Sequence, residues 1–284
     1  MSDGNKKKVT IKDIAEACGV STATVSYVVN GREDQRISPE TWKRVMHEVH
    51  LMGYESSAVA KALATGNNNA VGLYAPRLRA SPARAYENLC FISQLTEALE
   101  ARRYQLRFVG DACRHTTINT LDAIVTLDVD GAAFRQIGFN CFYPLICVDG
   151  IVDDPRLFYQ VNSDYERAAG RARELGGRAA AVFEPFAEPR LNERIGACFD
   201  AAFCVAPGGE GLREFAAAQP GGTVFVAVGA LLAERLRCLT AAPVLSMCPD
   251  GDLEADTARK AETVAGLLMD TIRGEPPEKH DIVI

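Results

Sequence analysis

The sequence predicts two unlike parts: an all-α head carrying a helix-turn-helix, and a doubly wound α/β body. Three observations predict it. Residues 9–64 read as a run of short, capped helices without a strand pattern. From Ala70 onward, short apolar runs alternate with amphipathic helical stretches. Between the two lies a polar joint, Thr65–Asn69, expected to be flexible. With 284 residues, 48% of them hydrophobic, the chain can bury more than one core.

The head begins at Thr10 and Asp13, a T-x-x-D capping pattern that opens a helix from about Ile11 to Cys18. Gly19 stops it, and Val20 can turn inward at the corner. Ser21 is an N-cap for a second helix running to about Asn30, with Gly31 as its stop. Two helices joined by a short glycine-containing turn form a helix-turn-helix unit. Val25, Val28 and Val29 share the face that packs on the first helix, while Ala23, Ser26, Tyr27 and Asn30 point away and Thr22 flanks them. Small polar side chains on that face would let the helix enter a major groove closely; by spacing alone, a solvated face of a small bundle fits equally well. Ser38-Pro39 starts a third helix, with Trp42, Val45, Met46 and Val49 apolar and Gly53 closing it. The short AVAKALA run at 58–64 is too brief to be helical on its own in water.

In the body, Val71–Tyr74, Leu106–Val109, Ala123–Leu127, Leu145–Val148, Tyr159–Asn162, Ala180–Phe183, Thr223–Val228 and Val244–Met247 read as buried strands. Helices are expected at about Arg84–Arg103, with Leu89, Ile92, Leu95, Thr96 and Leu99 inward, and at Tyr165–Leu175. This alternation means parallel sheets.

Charge is uneven. The net is -6 overall, yet up to Gly66 nine basic residues face eight acidic ones. A near-neutral head on an acidic body suits a head that meets phosphates while the body stays off them. The nine cysteines contain no C-x-x-C pair, and the opening MSDGNKKK is polar. Free buried thiols in a reducing cytoplasm are expected, with no metal and no cofactor. His47 and His50 stand at i, i+3 but read as a solvated helix face. No run of 18 apolar residues would span a membrane. The chain shows no G-x-S-x-G, Walker loop, H-E-x-x-H or G-x-G-x-x-G after the first strand, so an enzyme is not expected.

Val9–Asn30 together with Leu63 resembles the LacI/GalR family of bacterial transcriptional regulators. That family's head reads V-T-[IL]-x-D-[IV]-A-x-x-[AC]-G-V-S-x-x-T-V-S-x-V-[LV]-N, and the later G-Y and V-A-x-x-L-A order matches as well. Ser56 departs from the family's usual proline. The resemblance implies base reading by Thr22, Ala23 and Tyr27, and phosphate contacts by Thr10, Ser21, Thr24, Ser26 and Asn30. It also implies a hinge helix over about 56–64 whose Leu63, with Ala60 and Ala64, wedges into the minor groove. The implied partner is an operator duplex bound by a homodimer, a tetramer not being excluded.

The body resembles, more loosely and in shortened form, the family's effector domain, which is similar to periplasmic sugar-binding proteins with two lobes and a cleft. Domains are then expected at 1–66 and 67–284, with lobe 1 at about 70–149 and 253–273 and lobe 2 at about 150–250 and 275–284. Val161-Asn162-Ser163-Asp164, Arg194-x-x-Ala197 and Ile272–Pro276 resemble family segments, and Arg194, Asp164 and Tyr86 are the candidates for a sugar-like effector. Asp164 also suits a helix N-cap, and Arg77, Arg79 and Ser81 could line the rim. Polar positions after Phe225–Val228 and Val244–Met247 are replaced, so two alternatives stay open. The body has lost its sugar site and serves for dimerisation or a non-sugar or protein partner; or the chain is a ligand-binding protein without DNA function.

Overall fold

The computed structural model describes residues 9–29, 37–52, 68–153, 158–206, 209–248, 253–254 and 257–284. In the head, α1 (Ile11–Cys18), α2 (Thr22–Val29) and α3 (Pro39–Leu51) form the expected trihelical unit. Thr10 and Asp13 make a reciprocal capping box, and Gly19 ends α1 at φ 62°, a left-handed conformation that favours glycine. Ser21 Oγ accepts the Thr24 amide at 3.0 Å, and Ser38 Oγ accepts that of Thr41 at 3.2 Å. Ile14, Val25, Val28 and Val45 are wholly buried between the three helices. Val20 and Trp42 sit at the edge of that core, joined by Phe139 and Phe142 from the body.

The body is two parallel sheets. The first takes β1 (Ala70–Tyr74), β2 (Gln105–Phe108), β3 (Ala123–Leu127), β4 (Leu145–Val148), β5 (Tyr159–Asn162) and β11 (Asp281–Val283), in the order β11-β5-β4-β3-β1-β2. Helices α4 (Pro82–Glu100) and α10 (Thr257–Ile272) cover one face; α5 (Gly131–Asn140) covers the other. Strand periodicity makes the division: Ala123, Val125 and Leu127 face α4 and α10, while Ile124 faces α5. Gly72 is needed in β1, because a Cβ there would stand 2.7 Å from Leu121 Cδ1.

The second sheet runs β10-β9-β8-β6-β7, from β6 (Arg178–Phe183), β7 (Ala201–Cys204), β8 (Thr223–Val228), β9 (Val244–Cys248) and β10 (Leu253–Glu254). Helices α6 (Tyr165–Gly176) and α7 (Pro189–Cys198) lie on one face, α8 (Leu212–Ala217) and α9 (Ala230–Arg237) on the other. Val224 and Val226 point to the first pair and Phe225 and Ala227 to the second.

Three expectations need correction. Lobe 2 does not take 150–250 and 275–284 whole: β5 pairs with β4, and β11 pairs with β5, so both flanks complete the first sheet. Leu89 is 63% exposed instead of inward, because the buried stripe of α4 runs through Asn88, Phe91, Ile92, Leu95 and Leu99 and leaves Leu89 beyond its edge. Third, the polar joint is not loose at its described end. Asp122 accepts hydrogen bonds from the amides of Asn68 and Ala70, each at 3.2 Å, and so ties the chain to the base of lobe 1.

Candidate nucleic-acid interface and interlobe cleft

The residues expected to read bases lie on the side of α2 turned away from the valines of the head core. Thr22 and Ala23 are exposed at the start of α2, and Ser26 and Tyr27 are half-buried along it. The valines opposite them fix the rotation of the helix, so the small residues face outward by packing, not by chance. Thr10, Ser21 and Thr24 cluster at the N-termini of α1 and α2. Thr10 and Ser21 serve there as caps, and Thr24 Oγ1 lies 2.9 Å from Ser21 Oγ. Amides and hydroxyls gathered at helix starts suit phosphate oxygens. Asn30, Ala60, Leu63 and Ala64 lie outside the described residues, as does the hinge segment 56–64.

The second candidate site is the cleft between the lobes, and here the chain's own side chains occupy the space. A cavity of about 60 Å³ remains, lined by Arg84, Glu87, Asp149, Tyr165, Phe186 and Lys260 among others. Small-molecule sites usually enclose roughly 300–1,000 Å³. Arg84 of lobe 1 donates to the Glu184 carbonyl at 2.8 Å and lies 3.9 Å above the Phe186 ring, both in lobe 2. Ser81 donates a short hydrogen bond to the Glu184 carboxylate. Glu87 accepts the amide of Ala230 at 2.8 Å, and Arg77 donates to the Pro185 carbonyl at 3.1 Å. Asp128, 1% exposed, accepts the Ala187 amide at 2.7 Å.

Burial dominates the electrostatics of this seam. It pushes the carboxyls of Glu87 and Asp128 above their ordinary values, against the lowering effect of the amides they accept and of nearby cations. Asp128 Oδ2 has no hydrogen-bond partner among the described residues, which suits a carboxyl that resists ionisation. Inside lobe 1, Lys260 Nζ lies 2.6 Å from Asp149 Oδ1. The charged side chains of the lining thus bond to one another or to backbone groups of the opposite lobe.

None of the three effector candidates from the sequence lines this cavity. Asp164 is the N-cap of α6, accepting the Arg167 amide at 2.8 Å. Arg194, midway along α7, lies 3.7 Å from Asp281 and is not part of the cavity lining. Tyr86 is 42% exposed on the outer face of α4. Of the first-loop residues, Arg77 and Ser81 do reach the seam, as lobe-to-lobe bonds. Sequence reasoning missed Arg84, Glu87, Phe186 and Lys260; the one usable signal was charge on the inward face of two amphipathic helices. The cysteine thiols behave as small hydrophobes: burial pushes Cys113 up to about 11 and Cys147 up to about 12. No group of described residues has the makings of a metal site, and no helix among them is long and apolar enough to cross a membrane.

Comparison with known proteins follows the same division. Residues 10–57 match the family model of bacterial regulatory proteins, lacI family. The chain is 30% identical over 184 residues to the HTH-type transcriptional regulator pepR1 of Lactobacillus delbrueckii subsp. lactis, covering 60% of this chain and 52% of that protein. It is 29% identical over 180 residues to catabolite control protein A of Streptococcus mutans, covering 59% and 51%. The chain thus spans about half the length of these curated relatives. Among solved structures, the lac repressor dimer bound to operator and an anti-inducer superposes with a TM-score of 0.54 at 16% identity, over 98% of this chain and 96% of the other. At that identity the match speaks for the fold, head and two-lobed body together. The head thus matches the lacI family model, and head and body together share the fold of the lac repressor structure.

Proposed function

We propose that the chain is a sequence-specific DNA-binding transcriptional regulator, a repressor of catabolic or transport genes that acts in the cytoplasm as a homodimer on a pseudo-palindromic operator. The observation that carries this reading is the face of α2. Thr22 and Ala23 are exposed on a helix clamped from behind by Val25, Val28 and Val29, so its backbone can come close to base edges. Tyr27 reads a base further along, and Thr10, Ser21, Thr24, Ser26 and Asn30 position the phosphates. Leu63, flanked by Ala60 and Ala64, wedges the minor groove at the dyad. Two relatives named as a transcriptional regulator and a catabolite control protein support the class. For the dimer, Tyr86 and Leu89 on α4 and Phe108 on β2 are large apolar side chains left exposed in the single chain, on elements packed against each other. A second copy would cover them.

Operator selection from random duplexes, followed by fluorescence anisotropy at fixed salt, tests the reading. The selected palindrome should bind about 10³-fold or more tighter than random duplex. Equal affinity for both would overturn it. Leu63→Ala should weaken operator binding more than random binding, and Tyr27→Ala should change base preference at one position of each half-site.

A second reading of the body is favoured by the filled cleft. With about 60 Å³ free and its charged side chains bonded to backbone groups across the seam, the closed body serves as a dimerisation scaffold and not as a sugar receptor. Thermal-shift screening with sugars and sugar phosphates separates the two. A true effector at a hundred times its dissociation constant adds about 2.7 kcal/mol of stability.

A further inference from the structure

Helix α5 touches the second lobe at one end and the head at the other. At its start, the Gly131 amide donates to Glu188 Oε2 of lobe 2 at 2.8 Å. Glycine at this first position of the helix eases that approach: a Cβ there would lie 3.0 Å from the Arg190 guanidinium and 3.2 Å from Glu188 Oε2, and both side chains would have to give way slightly. Glu188 is itself 4% exposed and held from behind by Arg190 Nε at 2.5 Å. Arg190 reaches on to Asp153 at 2.7 Å and to the Ile151 carbonyl at 3.0 Å, on the segment that follows β4. Asp153 in turn pairs with Arg135, one turn into α5. The first turns of α5 are therefore gripped twice by groups that belong to lobe 2 or bond directly to it.

At the other end, Phe139 in the last turn and Phe142 just beyond it pack against the core of the head, as Trp42 and Ile11 of the head itself do. Between the two ends, Phe134 and Ile137 are almost wholly buried against the first sheet. The helix has 10 residues and is about 15 Å long. It is seated firmly enough to move as one piece, and interfaces of this kind shift by small, discrete steps of ~1–2 Å.

We propose that α5 is a coupling strut: the position of lobe 2, sensed by Glu188 and Asp153 at the Gly131 and Arg135 end, sets how Phe139 and Phe142 hold the helix-turn-helix head. The link is separate from the hinge segment and lies within one chain. It gives the closed seam a route to the head that requires no ligand in the cleft. The proposal deepens the regulatory reading, since it states how the body reaches the head. Its readout needs no DNA, so a failure of coupling is distinguishable from a failure of operator binding.

Hydrogen exchange on the 284-residue chain without DNA tests it. Phe139→Ala with Phe142→Ala should speed exchange in α1–α3 by about fivefold or more, the low end of coupling between linked sites, while β1 and β3 stay as in the parent. Arg135→Ala is the decisive variant. It removes an exposed side chain that is not among the groups packed on the head and leaves the core intact. It should also speed exchange in α1–α3, by about fivefold, and Glu188→Ala should do the same. The strut is overturned if Arg135→Ala and Glu188→Ala loosen α7 and the 151–153 segment yet leave head exchange at the parent rate. It is equally overturned if loss of both phenylalanines leaves the head unchanged.

Discussion

The guanidinium of Arg84 lies 3.9 Å above the ring of Phe186, one residue from each lobe, and its Nη2 also donates to the Glu184 carbonyl at 2.8 Å. A flat, forked cation can stack and donate together; an ammonium cannot match both geometries. Arg84→Lys should therefore cost about 1–2 kcal/mol of body stability, a stacked cation plus one hydrogen bond to a charged donor. Small-angle scattering should show a larger radius for the variant, because the seam it holds has opened. An unchanged melting temperature and radius would mean that the lobes are held by the remaining bonds alone.

Lys260 and Asp149 provide a second, more local test. The lysine is 9% exposed and its ammonium meets the carboxylate at 2.6 Å. Lys260→Met removes one charge and leaves the other largely buried, so it should cost about 3 kcal/mol, the lower end for breaking such pairs. The double variant Lys260→Met with Asp149→Asn should recover most of that loss, since the orphaned charge is what is costly. Urea unfolding of the two variants measures the difference; equal destabilisation would show that the ion pair is not the cause.

The head offers a test that separates folding from reading. Ile14 is 0% exposed at the centre of a small core, and Ile14→Ala should cost about 2–5 kcal/mol. A unit of this size rarely holds more than about 3–5 kcal/mol, so the head should unfold while the body persists. Trp42 is the single tryptophan of the chain and sits at the edge of the head core, so its fluorescence reports the head. Tyr27, by contrast, lies outside the buried head core. Tyr27→Ala should shift the Trp42 transition by no more than about 1 kcal/mol, the typical cost of a point mutation, while changing base preference. Loss of the Trp42 transition in Tyr27→Ala would recast Tyr27 as a packing residue.

These cases also show what the sequence can and cannot tell. Thr10, Gly19, Ser21 and Ser38 announce the head because caps are local: the residue and the amide it satisfies lie three positions apart. The strands of the body are legible for a similar reason, as continuous apolar runs need burial on both faces. Leu89 was misplaced because apolarity alone does not choose the buried face: packing centres the stripe on Asn88, Phe91, Leu95 and Leu99, and Leu89 lies about 100° round the helix from Asn88. β7 and β11 were missed because they are edge strands, where Phe203 and Ile282 are only half-buried and the apolar signal is thin. The seam was illegible for a deeper reason. Arg84 and Glu184, or Gly131 and Glu188, are joined only when two separate sheets come together, and nothing in the spacing of either segment records the other.

The acid side of the stability profile should expose the Glu188 contact. Burial alone would raise its carboxyl, but hydrogen bonds from Arg190 and from the Gly131 amide outweigh it and hold the group below its ordinary 4.5. The unfolded chain then binds more protons in that window, so this contribution is complete above about pH 4.5 and is lost as pH falls through the depressed value. Glu87 and Asp128 run the other way. Burial raises both, so their contribution is present at low pH and is lost as pH rises through their folded values, above 4.5 and 3.8 respectively. Glu188→Gln should be less stable than the parent at pH 7, and the gap should close toward pH 3.5, about a unit below the ordinary value. Asp200 and Glu262, also held low by an amide and by arginines, keep part of the acid limb in both proteins. Glu87→Gln should show the reverse, a variant at least as stable as the parent at pH 8, because an amide replaces a carboxylate that resists ionisation. Differential scanning calorimetry from pH 3.5 to 8 measures both gaps. A Glu188→Gln gap that stays constant with pH would remove charge from the role of this contact and leave only its shape.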